Sequence, residues 1–507
     1  MPSIKRLILV GAVVSIAIFV FSIVNTSLLN EKNPNNKLLL NTSENPGINP
    51  YVKEYSLPAG TFPNGILVDK NETVWVAGSK INSLFRFDPK HEKIESYQIE
   101  NDNSQDNKTG RSLMVWTMLQ DNDGLIWFSQ LGTDSIWRFD PNTGKFDSNH
   151  SVSAAPFQMK LDKSGNIWFT TLSGNTVGVI QKIQNSNEKY QITEFGTGND
   201  TQPAGLFLTN NELWLTEISN QKIVKYSVTY DNGLVKNIHK ILEIPADNKI
   251  SLGLPTDLVV LDETIWLTEH GTSFLTKYQI NSENLTRFPT SQNAYQVTTL
   301  PFWIREANNG KGIWFNEHEG NKITFFNTVD RTLTEYEIPS RSTNGYLVYP
   351  LNIAIDQLDG NKLWFSEWNT DKFGMVDAKI PISFEIHLDN DKIVLGNDSK
   401  QQSIAIEISK NSLAPYDNNV VFLNASSSME PNAGLGNVDV KFSVNTVDLS
   451  KTHQVQLLLR NDSAPPGNYT LGISGSGNIK MIKTIFTIHR DLVFLLKFDH
   501  KAYFILV

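Results

Sequence analysis

At 507 residues the chain can bury a large core, and 44 Lys and Arg against 53 Asp and Glu leave a formal net charge of −9. That balance speaks against a nucleic-acid partner, which needs a clustered basic face. The absence of cysteine excludes a disulfide framework and a thiolate metal site.

Lys5 and Arg6 precede residues 7–24, which carry no charge. About 20 apolar residues in a helix cross a bilayer, and flanking basic side chains stay on the cytoplasmic side. A secretory signal has a shorter apolar run and a small-residue cleavage site. Residues 1–29 are therefore expected to be an uncleaved signal anchor, one transmembrane helix that holds the chain in the cell membrane as a single-pass protein. The bulk of the chain is then extracytoplasmic. A cleaved signal, and so a secreted protein, is the alternative reading; a buried core helix is the third. Sequons at Asn41, Asn71, Asn107, Asn284 and Asn468 fit an exported surface. Residues 30–50, rich in Asn, Ser, Pro and Lys, read as a spacer.

From 51 to 379 one phrase recurs: Val74-Trp75-Val76, Ile126-Trp127-Phe128, Ile167-Trp168-Phe169, Leu213-Trp214-Leu215, Ile265-Trp266-Leu267, Ile313-Trp314-Phe315 and Leu363-Trp364-Phe365. The tryptophans lie 41 to 52 residues apart, the period of an array. Around each, short apolar or alternating runs are separated by turn residues such as Asp121-Asn122-Asp123-Gly124. Four short strands per repeat make one antiparallel blade, and packing seven blades around an axis buries both faces of each. The expected class is all-β, with a seven-bladed β-propeller over 51–379. The seventh repeat lacks an outer strand after Phe373-Gly374-Met375-Val376, whereas Val52-Lys53-Glu54-Tyr55 has that texture ahead of the first. Residues 52–58 are expected to complete the last blade.

Residues 380–490 hold about seven strand-like runs without the repeat, among them Ser403-Ile404-Ala405-Ile406 and Val455-Gln456-Leu457-Leu458. They suggest an immunoglobulin-like β-sandwich. Residues 491–507 form an apolar tail broken by Lys497, Asp499, His500 and Lys501, with no role that the sequence defines.

Strand direction places the start of strand one and the end of strand two on one face, where long loops also gather at 101–112, 289–300 and 340–349. Binding residues concentrate on such loops. Three after the repeat Trp stand Glu217, Glu269, Glu317 and Glu367 on consecutive repeats. Either they bond backbone at strand ends, or they converge on a hard cation such as Mg²⁺ or Ca²⁺, which wants several oxygens on one spot. After the proline that opens strand one come Asn64, Phe157, Ala204, Thr256, Phe302 and Leu351, with Trp116 at the same place in the second repeat. This set is largely apolar. With Trp303 and Trp368 beside it, it reads either as exposed aromatic surface at a channel mouth, suited to a small molecule, glycan or peptide, or as filling of the inner ring. His270 and His318 each follow a repeat Glu and, with Glu319, form an acid–base or ligand cluster; Arg305 and Arg111 could hold an anionic group nearby.

The Trp-Phe-Thr-Glu-like phrases and the outer Ile-Thr-Glu-Tyr-x-Ile-Pro strands resemble the virginiamycin B (streptogramin B) lyase family over residues 51–379. The resemblance implies a seven-bladed propeller that linearises a cyclic depsipeptide by Mg²⁺-assisted elimination, with a His removing a proton. It also implies His directly after the opening proline in the last two blades. Phe302 and Leu351 stand there instead, Tyr349 stands where the family has an acid, and Glu367 only approximates a metal-binding acid. General-base chemistry needs a group within hydrogen-bond reach of the proton. The leading expectation is thus a propeller that binds a ligand or partner at an aromatic mouth. The competing one is a metal-dependent lyase or hydrolase acting on a cyclic peptide or ester through Glu269, Glu317 and Glu367 with His270 or His318. A structural role in the cell envelope is the third.

Overall fold

The computed structural model describes residues 49–505, apart from 100–113, 184–189, 210, 247–250, 292–297, 308–309, 342–346, 397–400, 416–418, 428–437, 452–453, 462–466, 478–479, 491–493 and 499–500. The expected membrane anchor, nearly all of the spacer, Arg111 and much of the three long loops lie outside the described residues. Every element described is a β-strand.

The repeat folds as antiparallel four-stranded sheets, and the chain is a β-propeller. In the first sheet Pro63–Val68, Val74–Gly78, Ser83–Asp88 and Lys93–Gln98 pair in sequence order. The second runs from Met118–Gln120 to Lys145–Ser151, the third from Pro156–Leu161 to Tyr190–Gly196 and the fourth from Pro203–Leu208 to Leu234–Ile244. The fifth spans Pro255–Leu261 to Asn284–Pro289 and the sixth Pro301–Ala307 to Thr332–Glu337. A seventh holds Pro350–Ile355, Lys362–Glu367 and Lys372–Asp377. Its outer strand is Val52–Ser56, with Val52 opposite Val376 and Ser56 opposite Lys372. The early segment thus lies where the missing fourth strand of the last repeat had to come from.

The repeat tryptophan has two uses. Its ring fills a seam between neighbouring sheets: Trp75 lies with Met118 and Ile126 of the second sheet, and Trp364 of the seventh lies with Ile66 and Phe87 of the first. Its indole N–H reaches the aspartate of the strand-one-to-two turn, at 2.9 Å from Trp75 to Asp69, 2.7 Å from Trp127 to Asp121 and 3.0 Å from Trp168 to Asp162. The other oxygen of each aspartate accepts turn N–H groups, for example Asn71 and Thr73 on Asp69. One carboxylate therefore closes the turn and satisfies a buried indole.

Beyond the repeat, Phe384–Leu388, Gln402–Lys410, Gln454–Asn461 and Val438–Phe442 form one sheet. Opposite it, Lys480–Arg490, Gly467–Ser476, Val420–Ser427 and Thr446–Asp448 form another, and Lys392–Gly396 runs parallel to Lys480–Arg490. Phe384, Ile386, Ile406, Leu457 and Ile473 are buried in the hydrophobic core that includes this part of the chain. This second sheet does not stand apart. Lys480–Arg490 pairs with the outer strand of the sixth propeller sheet, Thr332 opposite Lys483 and Glu335 opposite Lys480. A single nine-stranded sheet results. The tail is a two-stranded hairpin, Phe494–Phe498 with Lys501–Ile505.

Candidate functional site

Each first strand begins with a distortion, and that distortion builds the mouth. The residue before the opening proline takes a left-handed backbone conformation: Phe62 (φ 49°), Gln202 (50°), Leu254 (57°), Leu300 (51°) and Tyr349 (51°). Proline normally keeps its predecessor extended, and a side chain in this region costs roughly 1–3 kcal/mol. The turn aims a carbonyl at the end of strand two. Leu254 O accepts His270 N at 2.9 Å, Leu300 O accepts His318 N at 3.1 Å, Tyr349 O accepts Trp368 N at 3.1 Å, and Phe62 O accepts Ser79 N at 3.2 Å. Gln202 O and Met114 O do the same for Ile218 and Leu131. The mouth is therefore rimmed by the residues four after each repeat tryptophan: Ser79, Leu131, Leu172, Ile218, His270, His318 and Trp368.

Just after the proline the register slips, between Pro63 and Ile66 in the first sheet, Pro156 and Met159 in the third, and equivalently in the fourth to seventh. A bulge leaves N–H groups without strand partners. The residue two after the repeat tryptophan supplies them. Ser129 Oγ accepts Trp116 N and Thr117 N, Thr216 Oγ1 accepts Gly205 N at 2.7 Å, and Asn316 Oδ1 accepts Trp303 N at 2.8 Å. The same side chains donate to the next sheet: Thr170 to Ala204 O, Thr216 to Thr256 O, Thr268 to Phe302 O and Asn316 to Pro350 O. This stitch between neighbouring sheets escapes a reading of apolar period alone. Its trace is the small hydroxyl or amide residue at one place in six of the seven repeats. Gly205 belongs to the same close approach, since a Cβ there would lie 2.7 Å from the backbone of Thr256 and Asp257.

The aromatic residues expected as an open mouth are a plug. Trp116, Phe157, Phe302 and Trp303 are at most 3% exposed. Their rings meet across the axis, with centroids 5.1 Å apart for Trp116 and Phe157, 5.2 Å for Phe157 and Trp303, and 5.9 Å for Trp116 and Phe302. The expectation of exposed aromatic surface at these four positions is corrected accordingly: the bulge turns the residues after the proline inward, where the axis is narrow and rings from several sheets fill it. Trp368 differs. It is half-buried at the rim, edge-on to Phe62 at 5.4 Å. Arg305 lies further along its strand, paired with Asp257 at 2.9 Å. That carboxylate also accepts Gln158 Nε2 at 2.8 Å and the backbone N–H groups of Leu258 and Ile304. Lys160 is close to this pair; burial, then Arg305, bring its pKa down to about 8 against the pull of Asp257.

His270 and His318 come together as their positions suggested, with ring centroids 5.1 Å apart. Phe302 lies 4.7 Å from the first ring and 4.2 Å from the second. His270 Nδ1 is 3.3 Å from Pro301 O, and His318 Nε2 is 3.4 Å from Leu351 O. A carbonyl only accepts, so either contact is a hydrogen bond only when that nitrogen carries the proton. Burial lowers the His270 pKa to about 4, and burial with the neighbouring His270 lowers that of His318 well below its ordinary value. Both rings are neutral at pH 7. Glu319, next in sequence, is held above the usual carboxylate range by burial.

The carboxylates expected to hold Mg²⁺ or Ca²⁺ stand at the ends of the second strands of the fifth, sixth and seventh sheets. Glu269 accepts Arg287 Nε at 2.8 Å, Arg287 Nη2 at 2.9 Å, Gly253 N at 2.5 Å and the Thr276 hydroxyl. Glu317 accepts the Thr324 hydroxyl and lies 3.4 Å from Lys322 Nζ. Glu367 accepts Thr370 Oγ1 at 2.6 Å, and its pKa is raised by burial and by Glu54. Both oxygens of Glu269 are engaged, whereas Glu317 Oε2 and Glu367 Oε1 are buried without a hydrogen-bond partner. Among the described residues no group of three or more His, Asp or Glu side chains is placed to hold a metal ion.

Sheets that repeat around a plugged axis, with a rim raised by the turns before the prolines, define the class as β-propeller. The model of the Virginiamycin B lyase family matches residues 50–348, more than half of the chain, and the chain belongs to that family. In structure it is similar to virginiamycin B lyase from Staphylococcus aureus, with 23% identity, a TM-score of 0.50, and 64% of this chain and 98% of that one covered. The same figures hold for a catalytically inactive histidine-to-alanine variant of that enzyme with quinupristin. A streptogramin B lyase structure is 21% identical, with a TM-score of 0.50, and 97% of it is covered. At these identities the likeness is one of fold. No curated protein matches the chain significantly.

Proposed function

We propose that this chain is a binding member of its family: a membrane-anchored, extracytoplasmic, seven-bladed propeller with an immunoglobulin-like sandwich. Its mouth takes an apolar group of a peptide-like ligand without opening the ligand's ring. The observation that carries this reading is the composition of the rim. Leu131, Leu172, Phe62 and Trp368 keep accessible apolar surface there, and the two imidazoles among them are neutral. Apolar area with few polar groups favours a ligand that buries an aliphatic or aromatic side chain. The S. aureus relative was crystallised with quinupristin, which makes that compound the first probe. Where the family resemblance asks for a base after the proline, Phe302 and Leu351 supply none.

The test is quinupristin incubated with the full chain and Mg²⁺. The expected outcome is intact quinupristin by chromatography, with saturable quenching of tryptophan fluorescence that Trp368→Ala weakens about tenfold. Linear product that vanishes in His318→Ala would instead establish the lyase reading, which the paired imidazoles at the rim favour.

A further inference from the structure

The end of the propeller opposite the mouth carries a second concave surface. Its origin is the outer hairpin of the fourth sheet. Lys222–Asp231 and Leu234–Ile244 are 10 and 11 residues long, whereas the outer pairs of the first, fifth and sixth sheets have 6 in each strand. Asn232 (φ 52°) and Gly233 (φ 80°) make the tight turn at its tip, the pairing that matches hairpin twist. The tip is fastened over the third sheet. Gln181 Oε1 accepts Val235 N at 2.7 Å, and Gln181 Nε2 reaches Gly233 O at 3.4 Å and Asn166 Oδ1 at 3.2 Å. Under the overhang lies a cavity of about 820 Å³ between the second, third and fourth sheets, within the range of small-molecule sites.

The lining indicates what it would take. Its charged groups already have partners: Asp123 pairs with Lys182 at 3.3 Å, and Asp121 accepts the Trp127 indole and two turn N–H groups. What remains is amide and phenol. Asn122, Asn211 and Asn232 line the cavity and face solvent, with no side-chain hydrogen bond among the described residues. Tyr190 is held rigid, its hydroxyl 2.7 Å from Arg138 Nη1 and its ring edge-on to Trp127 at 5.3 Å. Tyr230, 42% exposed, forms part of the wall on the hairpin. An amide offers two donors and an acceptor, and so answers hydroxyl groups that do both. Aromatic rings offer flat apolar surface to the C–H faces of a pyranose. A phosphate or carboxylate would meet two carboxylates and a single ammonium that already faces Asp123.

We propose that this cavity, roofed by the hairpin of the fourth sheet, is a binding site for a neutral oligosaccharide, separate from the mouth. The probes are cellotetraose, maltotetraose and chitotetraose, each titrated by calorimetry into the full chain. At least one is expected to bind with a dissociation constant below about 1 mM. Tyr230→Ala and Asn122→Ala should each weaken it about tenfold or more, with unchanged thermal midpoint, because both side chains are exposed and hold no neighbour in place. Trp368→Ala, at the other end, should leave sugar binding as it was. Shortening the hairpin by replacing residues 228–236 with a two-residue turn should abolish it. No binding by any of the three sugars at about 5 mM, binding that survives both point variants, or binding lost equally in Trp368→Ala would each overturn the assignment.

Discussion

The two histidines at the rim make the sharpest residue-scale prediction. An ordinary imidazole titrates near 6.5, and His270 in the folded chain titrates at about 4. The unfolded chain therefore binds more protons than the folded one between those values. Stability should fall as pH drops from about 6.5 to about 4, and this contribution should level off below that, by on the order of 3 kcal/mol from His270 alone. Urea titrations from pH 7 to 4 on the native chain and on His270→Phe/His318→Phe check it. The double variant should lose most of the slope, since an aromatic ring keeps the packing against Phe302 and removes the proton sites; an unaltered slope would mean that the imidazoles are not buried neutral. The adjacency of His270 and His318 could be read from their equivalent places in two repeats. The role of the rim as a whole could not. Alternation along a strand assumes an even pleat, and here a left-handed turn and a register slip intervene between Leu300 and Ile304. They send Phe302 inward, while Trp368, at the fourth place after its repeat tryptophan, stays accessible beside Phe62.

At the scale of one element, the stitch between sheets explains why the bulge is tolerated. Thr216 serves two partners, accepting Gly205 N and donating to Thr256 O. Thr216→Val keeps the shape and strands both groups in a fully buried position. The expected loss is about 2–4 kcal/mol, read as a lower urea midpoint with unchanged slope. Thr216→Ser should restore most of it, because only the hydroxyl matters to the two bonds. Strand number and order were legible, since each repeat carries four runs and the Trp-centred phrase marks the second. The exchange of an end strand was legible too, because the missing outer strand of the last repeat had a counterpart in Val52–Ser56. Bulges do not show in the apolar pattern, since they change geometry without changing it; their trace is the opening proline and the small hydroxyl or amide residue two after the repeat tryptophan.

At the scale of the whole molecule, the sequence separated two units that the backbone joins. The seam is a buried charge network as well as a strand pair. Lys322 lies 2.9 Å from Glu335 and 3.4 Å from Glu317, and both carboxylates are fully buried. Ser291 N donates to Glu335 Oε1 at 2.6 Å, and Lys480, from the added strand, donates to Ser291 Oγ at 2.8 Å. Burial would raise the pKa of Glu335, yet Lys322 and Lys480 outweigh it and hold the group below its ordinary value. A chain ending at residue 379 would lose Lys480 and expose the edge Thr332–Glu337, whose N–H and C=O groups invite another strand. That fragment is expected to self-associate with rising concentration in sedimentation velocity, whereas the full chain stays at one size. Lys480→Met separates the two causes. It keeps the strand and removes one positive charge beside two buried carboxylates, so it should destabilise without self-association. Removing Lys322, the central partner, should be far worse, at about 3–5 kcal/mol, because two buried carboxylates are then left to share one site. Should the fragment remain monomeric and as stable as the full chain, the added strand would be a passive neighbour and the nine-stranded sheet of no structural consequence.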